Sequence, residues 1–218
     1  MLVRDLGLLP YRDAWVIQEE AHDRVAAGGE EELLLVEHPP VITFGRRPGG
    51  EKHLLASHDH LAELGVDLVE SDRGGDVTFH GPGQIVAYPI VRLIDHALSV
   101  GAYVRRLEEV VIVTLEEFGV AAQKDESAIG VWVNEGGELA KICALGVRIR
   151  KGISLHGIAL NVDTDLAFFN LIVPCGLTSR RVTSLRKLLG DRTPATSAVR
   201  DALGRQMQSV FHSKKPIY

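Results

Sequence analysis

Hydrophobic residues recur along this chain with two different spacings. In residues 10–27 and 99–118 they return every three or four positions, as one buried face of an α-helix requires. Gly28 and Gly119 directly follow these two segments, and glycine favours helix termination. Residues 196–211 repeat the same spacing. The pattern predicts three long amphipathic helices.

The second spacing is that of extended strands, in short runs rich in β-branched residues. These runs cover residues 33–36, 41–44, 77–90, 129–133, 139–149 and 153–162. The run 77–90 is interrupted by His80-Gly-Pro-Gly83, which predicts two strands around a tight, exposed turn. The last three runs are separated by short glycine-containing turns, which predicts an antiparallel meander. Short helices are predicted at residues 57–64, 164–170 and 183–189.

Helical and extended segments are interspersed without a regular βαβα alternation, and no internal repeat is visible. We therefore predict an α+β fold, a mixed and largely antiparallel β-sheet packed with helices. The 218 residues fit one domain, which we assign to residues 1–218. A content of 45% hydrophobic and 24% charged residues is typical of a globular protein.

Composition and charge exclude several classes of protein. No apolar run is long enough to span a bilayer, and nothing near the N-terminus resembles an export signal, so we predict a cytoplasmic protein with no membrane partner. The net charge of -5 argues against general nucleic-acid binding, which needs a basic face. The two cysteines do not form a disulfide scaffold, and each is predicted to be a free thiol.

Three residues are candidates for thiol chemistry or for its control. Cys175 lies in a Pro-Cys-Gly turn, where it is either an exposed nucleophile or a small apolar residue under a loop. Cys143 lies in an apolar strand and is predicted to be a small core residue. Lys141 precedes it in the same strand, and its ammonium either extends to solvent or faces a cleft and pairs with a thiolate.

A glycine-rich segment from Arg73 to Gln84 is a further candidate for a functional role. Its glycines allow the backbone to approach a ligand closely, so it is either a hairpin corner or a substrate-cradling loop. It has neither Walker nor Rossmann glycine spacing. His80 is either an acid–base group or a hydrogen-bonding strut. His53, His58 and His60 lack matched ligand spacing, so no metal site is predicted.

Taken together, these segments resemble the lipoyl(octanoyl) transferase family of the biotin/lipoate ligase superfamily. The resemblance extends over nearly the whole chain. The segments that carry it are Glu37-His-Pro-Pro40, Thr43-Phe-Gly-Arg46, residues 73–90, residues 141–162 and Pro174-Cys-Gly176. It implies the biotin/lipoate ligase catalytic-domain fold.

The resemblance also implies an activity. Members move an octanoyl group from octanoyl-acyl carrier protein to a lysine of lipoyl-accepting proteins, namely lipoyl domains of 2-oxoacid dehydrogenase E2 subunits and glycine cleavage H protein. Cys175 is then the acyl-accepting nucleophile and Lys141 lowers its pKa, with no cofactor, in a monomer. The implied substrate contacts are Arg73, Gly74, Gly75, Asp76, Val77, Thr78, Phe79, His80, Ala144, Leu145, Gly146, Gly157, Ile158 and Ala159.

Two other functions stay open. An ATP-dependent lipoate or biotin ligase with the same fold would need no nucleophilic cysteine. A non-enzymatic relative would bind acylated carrier protein as a sensor or scaffold. Because acidic protein partners need a local basic rim, the basic residues that flank the motifs are candidates for it: Arg46, Arg47, Arg73, Arg148, Arg150, Lys151, Arg180 and Arg181.

Overall fold

The computed structural model describes residues 1–173 and 181–211. Its helices are α1 (Tyr11–Ala26), α2 (His58–Glu63), α3 (Val100–Glu116), α4 (Leu185–Leu189) and α5 (Thr196–Phe211). Its strands are β1 (Leu2–Leu8), β2 (Glu32–Glu37), β3 (Val41–Phe44), β4 (Asp67–Glu70), β5 (Val77–His80), β6 (Gln84–Ile90), β7 (Ala122–Lys124), β8 (Val131–Glu135), β9 (Glu138–Arg150), β10 (Ile153–Asn161) and β11 (Arg181–Val182). The three long helices are where the hydrophobic spacing predicts them.

The strands form two sheets, and the α+β class is confirmed. The larger sheet has the order β1-β2-β6-β10-β9-β8-β7, with β11 beside β9. The smaller sheet has the order β4-β3-β5. The meander β8-β9-β10 is antiparallel as predicted, whereas β1, β4 and β11 pair in parallel with their neighbours. The turn at His80-Gly-Pro-Gly83 separates two strands as predicted, but β5 and β6 belong to different sheets.

Helices cover both faces of the larger sheet. Alternate residues of β2 show this: Leu34 packs towards α1, and Leu33 packs towards α3 and α5. A separate apolar cluster lies under the smaller sheet and includes Phe79 and Phe169. Cys143 is fully buried in the core on the α3 side, which confirms its prediction as a small apolar residue.

Several predicted elements differ in detail from the observed ones. The helix predicted at residues 164–170 is a 3₁₀ segment, Leu166–Leu171, and the one predicted at 183–189 begins at Leu185.

Over the described ranges 1–173 and 181–211, no helix has the length and apolar character needed to cross a lipid bilayer.

Candidate functional site

A cavity lies at the seam between the two sheets. It contains about 510 Å³ of empty space, including its opening to solvent. Its floor is formed by β9 and β10, where small residues face each other in two cross-strand pairs, Ala144 with Ala159 and Gly146 with Gly157. Because none of these four residues has a large side chain, the floor leaves room for an extended ligand.

The loop from Arg73 to Gly75 closes over this floor. The Gly74 N–H donates to the Val147 carbonyl at 3.0 Å. A Cβ atom on Gly74 would lie 2.8 Å from that carbonyl oxygen, and one on Gly146 would lie 2.9 Å from the Gly74 carbonyl oxygen. Glycine is therefore required on both sides of this contact, and it allows the loop to approach β9.

Twelve of the fourteen substrate-contact residues expected from the sequence line this cavity. They are Arg73, Gly75, Asp76, Val77, Thr78, His80, Ala144, Leu145, Gly146, Gly157, Ile158 and Ala159. Gly74 is not among the lining residues, and Phe79 packs instead in the core below the smaller sheet, stacked on Phe168 with ring centroids 4.8 Å apart. The cavity is also lined by four residues that were not predicted from the sequence, namely Tyr11, Val86, Tyr88 and His156.

Lys141 also lines the cavity, and its side chain is only 9% exposed. Its Nζ donates to the Ile129 carbonyl at 3.0 Å and lies 4.7 Å from the ring centroid of Trp132. Gly130 makes room for the lysine stem, because a Cβ atom there would lie 2.9 Å from Lys141 Cε. Lys141 therefore does not extend to solvent, the first of the two orientations considered for it, and its pairing with a thiolate stays a prediction.

The cavity continues beyond Lys141. A smaller adjoining pocket shares Lys141, Thr78, Ala144 and Ala159 with it and extends to Val182. Val182 pairs with Lys141 in the β9–β11 ladder. Cys175 lies outside the described residues, so its proximity to Lys141 stays a prediction.

Away from Lys141, the cavity wall contains buried aromatic and imidazole rings. The Tyr88 hydroxyl lies 2.8 Å from His38 Nε2, and His38 Nδ1 donates to the Leu9 carbonyl at 2.7 Å. Because a carbonyl can only accept, Nδ1 carries the proton and Nε2 accepts from Tyr88. Burial lowers the pKa of His38 to about 4, so this imidazole is neutral at physiological pH.

His156 has a backbone conformation that is rare for a residue with a side chain. Its φ angle is 57°, in the left-handed region. Along β10, Leu155 packs on the α1 side and Ile158 on the α3 side, so strand alternation would place His156 on the α3 side. Its ring instead contacts Tyr11 on the α1 side, with Nδ1 3.4 Å from the hydroxyl. The left-handed conformation thus places this imidazole on the cavity wall.

The other nitrogen of His156 contacts a carboxylate. Nε2 lies 2.6 Å from Asp72 Oδ1, and Asp72 also forms an ion pair with Arg148. Burial lowers the pKa of His156, and the positive charges of Arg73 and Arg148 act in the same direction, against the attraction of the Glu19 carboxylate. The left-handed backbone angle of His156 is strained, and such strain is typical of residues at functional sites.

Arg73 and His80 are both buried, at 7% and 5% exposure. The guanidinium donates to the hydroxyl and the carbonyl of Thr43, at 3.0 and 2.6 Å. His80 Nδ1 lies 2.7 Å from Gln84 Oε1. Burial lowers the pKa of His80 well below its usual value, and the nearby His38 and Arg73 lower it further. Both ring nitrogens of His80 thus have a hydrogen-bond partner, as a strut requires, and the choice between a strut and an acid–base group stays a prediction.

The fold is shared with lipoate protein ligases and biotin protein ligases. A bipartite lipoate protein ligase from Thermoplasma acidophilum has a TM-score of 0.75 and 20% identity, over 100% of this chain and 87% of that one. A biotin protein ligase from Aquifex aeolicus has a TM-score of 0.54 and 12% identity, over 97% of this chain and 69% of that one. At these identities the likeness defines the fold class, that of the lipoate and biotin protein ligases.

Sequence similarity defines the family within that class. The model of the lipoyl protein ligase A/B catalytic domain matches residues 10–208, and the chain belongs to this family. An octanoyltransferase from Chloroflexus aurantiacus is 48% identical over 97% of this chain and 94% of its own length. An octanoyltransferase from Nitratidesulfovibrio vulgaris is 44% identical over the same shares, and one from Bacteroides fragilis is 40% identical over 98% and 99%.

Proposed function

We propose that this protein transfers an octanoyl group from octanoyl-acyl carrier protein to a lysine of lipoyl-accepting domains, through a thioester on Cys175. The observation that carries the proposal is the Lys141 ammonium, held at the cavity wall by the Ile129 carbonyl and the Trp132 ring. The names of the octanoyltransferase relatives, which match over nearly their whole length, support the transfer of octanoyl.

In the first transfer, the Cys175 thiolate attacks the carbonyl carbon of the donor thioester. The tetrahedral intermediate collapses as the bond to the carrier sulfur breaks, and the carrier thiolate leaves and takes up a proton. Lys141 has the charge needed to favour the Cys175 thiolate, because a nearby cation lowers the pKa of a thiol. The product is octanoyl-Cys175.

In the second transfer, the uncharged amine of an acceptor lysine attacks the carbonyl carbon of octanoyl-Cys175. The carbon–sulfur bond breaks, an amide forms, and Cys175 leaves as the thiolate. The acceptor ammonium loses one proton before attack, and its nitrogen loses a second as the amide forms. Lys141 can relay one of these protons if it alternates between its charged and neutral forms.

The octanoyl tail would lie along the floor formed by β9 and β10. At about 0.8 kcal/mol per buried CH₂, roughly six methylenes supply about 5 kcal/mol of binding free energy. Ala144, Gly146, Gly157 and Ala159 provide the space, since each has a small side chain or none.

Both protein partners would approach next to the loop that covers the cavity. The backbone N–H groups of Arg46 and Arg47 donate to the Arg73 and Gly75 carbonyls at 3.0 and 3.1 Å, so their exposed side chains lie beside this loop. Their positive charge would attract acidic carrier and acceptor domains. The archaeal ligase that shares this fold was studied with its E2 lipoyl domain, which fits an acceptor of that class.

The test is intact mass spectrometry after mixing the protein with octanoyl-acyl carrier protein. We expect a hydroxylamine-labile octanoyl adduct that maps to Cys175. The adduct should be absent from Cys175→Ala and present on Cys143→Ala, because Cys143 is a buried core residue. No adduct on the wild-type protein, or the same adduct on Cys175→Ala, would contradict the proposal.

An ATP-dependent ligase activity is the second candidate, because a lipoate-protein ligase A bound with ATP has the same fold, with a TM-score of 0.75 at 20% identity. Transfer assays with free octanoate and ATP, and with octanoyl-acyl carrier protein without ATP, separate the two. We expect activity only in the second assay, with repeated turnovers, which a sensor or scaffold would not give.

A further inference from the structure

A continuous series of buried hydrogen bonds connects the loop over the cavity with Lys141. Every member is at most 9% exposed. In order, the members are Arg73, Thr43, His80, Gln84, Asn161, Thr183 and Lys141. The series includes side chains from both sheets, and its last member is the Lys141 backbone carbonyl.

The bonds at the Lys141 end are well formed. Gln84 Nε2 donates to Asn161 Oδ1 at 2.9 Å, and Asn161 Nδ2 donates to the Thr183 carbonyl at 3.0 Å. The Thr183 N–H donates to the Lys141 carbonyl at 2.9 Å. At the other end, the contact between Thr43 and His80 is longer, at 3.5 Å.

All of these bonds have the same direction. Gln84 Nε2 also donates to the Phe79 carbonyl at 3.2 Å, so the amide nitrogen must face that carbonyl and Oε1 must face His80. His80 Nδ1 therefore donates to Gln84, and Nε2 accepts from the Thr43 hydroxyl. Each member donates to the next, and hydrogen bonds aligned in this way strengthen one another.

The last links hold a weak element in place. Strand β11 has only two residues, and Val182 pairs with Lys141. A two-residue strand has little stability of its own. Asn161 and Thr183 fasten it to β10 and β9 on one edge of β9, and Trp132 of β8 pairs with Lys141 on the other edge.

We infer that Gln84 and Asn161 are positioning residues that hold Lys141 for acyl transfer, an inference that rests on the proposed function. Neither carries charge at any pH. Both line the smaller adjoining pocket beside Lys141, and neither lines the larger cavity. Their contribution is geometric: they fix the strand from which the Lys141 ammonium reaches the Ile129 carbonyl and the Trp132 ring.

Asn161→Asp and Gln84→Glu test this, because each keeps its shape and replaces a donor by an acceptor. We expect kcat for octanoyl transfer to fall about tenfold, the effect of losing one buried hydrogen bond, with little change in KM for the donor. Gln84→Glu should regain activity as pH is lowered, since a protonated carboxyl can donate again. Asn134→Asp is the matched control, because Asn134 only accepts, from the Gly137 N–H in an exposed turn.

Amide hydrogen exchange at Thr183 gives a readout that does not depend on activity. We expect faster exchange in both variants and an unchanged rate at Val133 in β8. Should Asn161→Asp not fold, Gln84→Glu, one link further from Lys141, provides the same comparison. Folded variants with wild-type kcat and wild-type exchange at Thr183 would overturn the inference. Altered exchange with an inactive wild-type protein would instead reject the proposed function and retain the positioning role.

Discussion

Lys141 shows how the surrounding protein can fix the position of a nearly buried amino group. Its Nζ donates to the Ile129 carbonyl and lies over the Trp132 ring. Trp132 is itself fixed, because it is fully buried and its Nε1 donates to the Ala128 carbonyl at 3.1 Å. The ammonium therefore has a defined position at the cavity wall.

Replacing Lys141 by alanine should raise the pKa of the Cys175 thiol and slow its alkylation at neutral pH. Each unit of increase slows alkylation about tenfold when the thiol form dominates, because the thiolate is the reactive species. The measurement is the pH dependence of iodoacetamide alkylation at Cys175. Lys124→Ala is the control, since Lys124 forms an exposed ion pair with Glu109. Equal rates in Lys141→Ala and wild type would remove Lys141 from this role.

At the residue scale, site residues are easier to predict from the sequence when they belong to one short motif than when their position depends on the backbone conformation. The Arg73 loop could be selected because its glycines are close in sequence, whereas the two small-residue segments were implied only by the family resemblance. His156 could not, because its position on the wall depends on a left-handed backbone angle in the middle of a strand. The one visible signal was a histidine followed by glycine in an otherwise apolar run.

At the scale of elements, the cavity depends on close contact between β10 and its neighbour β6. A Cβ atom on Gly157 would lie 2.1 Å from the Ala87 carbonyl oxygen, which is backbone and cannot move aside. The absence of a side chain at Gly157 therefore serves strand packing as well as the cavity floor.

Gly157→Ala should lower the free energy of unfolding by about 1–3 kcal/mol through overpacking. The measurement is urea denaturation followed by circular dichroism. Gly101→Ala in α3 is the control: its Cβ would lie 3.7 Å from the nearest atom, in Arg105, and the change should stabilise the protein by about 0.4–1 kcal/mol. Equal free energies of unfolding for Gly157→Ala and wild type would contradict this prediction, because β10 and β6 would then accommodate the added methyl group without loss of stability.

The long helices and the meander follow from hydrophobic spacing, but four strands do not. β4, β7 and β11 are short, and β1 has no buried residue. Each of the four lies at a sheet edge or forms only a two-residue pair. Such strands bury little apolar surface, so no alternation marks them. The division into two sheets was also missed, because a tight turn looks the same whether its strands pair with each other or diverge.

At the scale of the whole molecule, three buried histidines make stability depend on pH. Burial lowers the pKa values of His38, His80 and His156. In the unfolded chain the histidine pKa is about 6.5, so below that pH the unfolded state binds more protons than the folded state. The free energy of unfolding must therefore fall as the solution becomes more acidic.

For His38, this loss extends from about pH 6.5 down to its folded pKa of about 4. We expect His38→Gln to make unfolding less dependent on pH in this range, by about 1.4 kcal/mol per pH unit. Denaturation by urea at several pH values measures this slope. His60→Gln serves as control because His60 is exposed on α2, and a slope that is identical in His38→Gln and wild type would contradict the expectation.

The junction of β5 and β6 has a mechanical consequence. These strands are neighbours along the chain but belong to separate sheets, and both contribute to the cavity wall, with Val77 and Thr78 from one and Val86 and Tyr88 from the other. A ligand held between them touches both sheets at once. A ligand bound there would therefore restrict the sliding of one sheet against the other, because its contacts would join the two sheets.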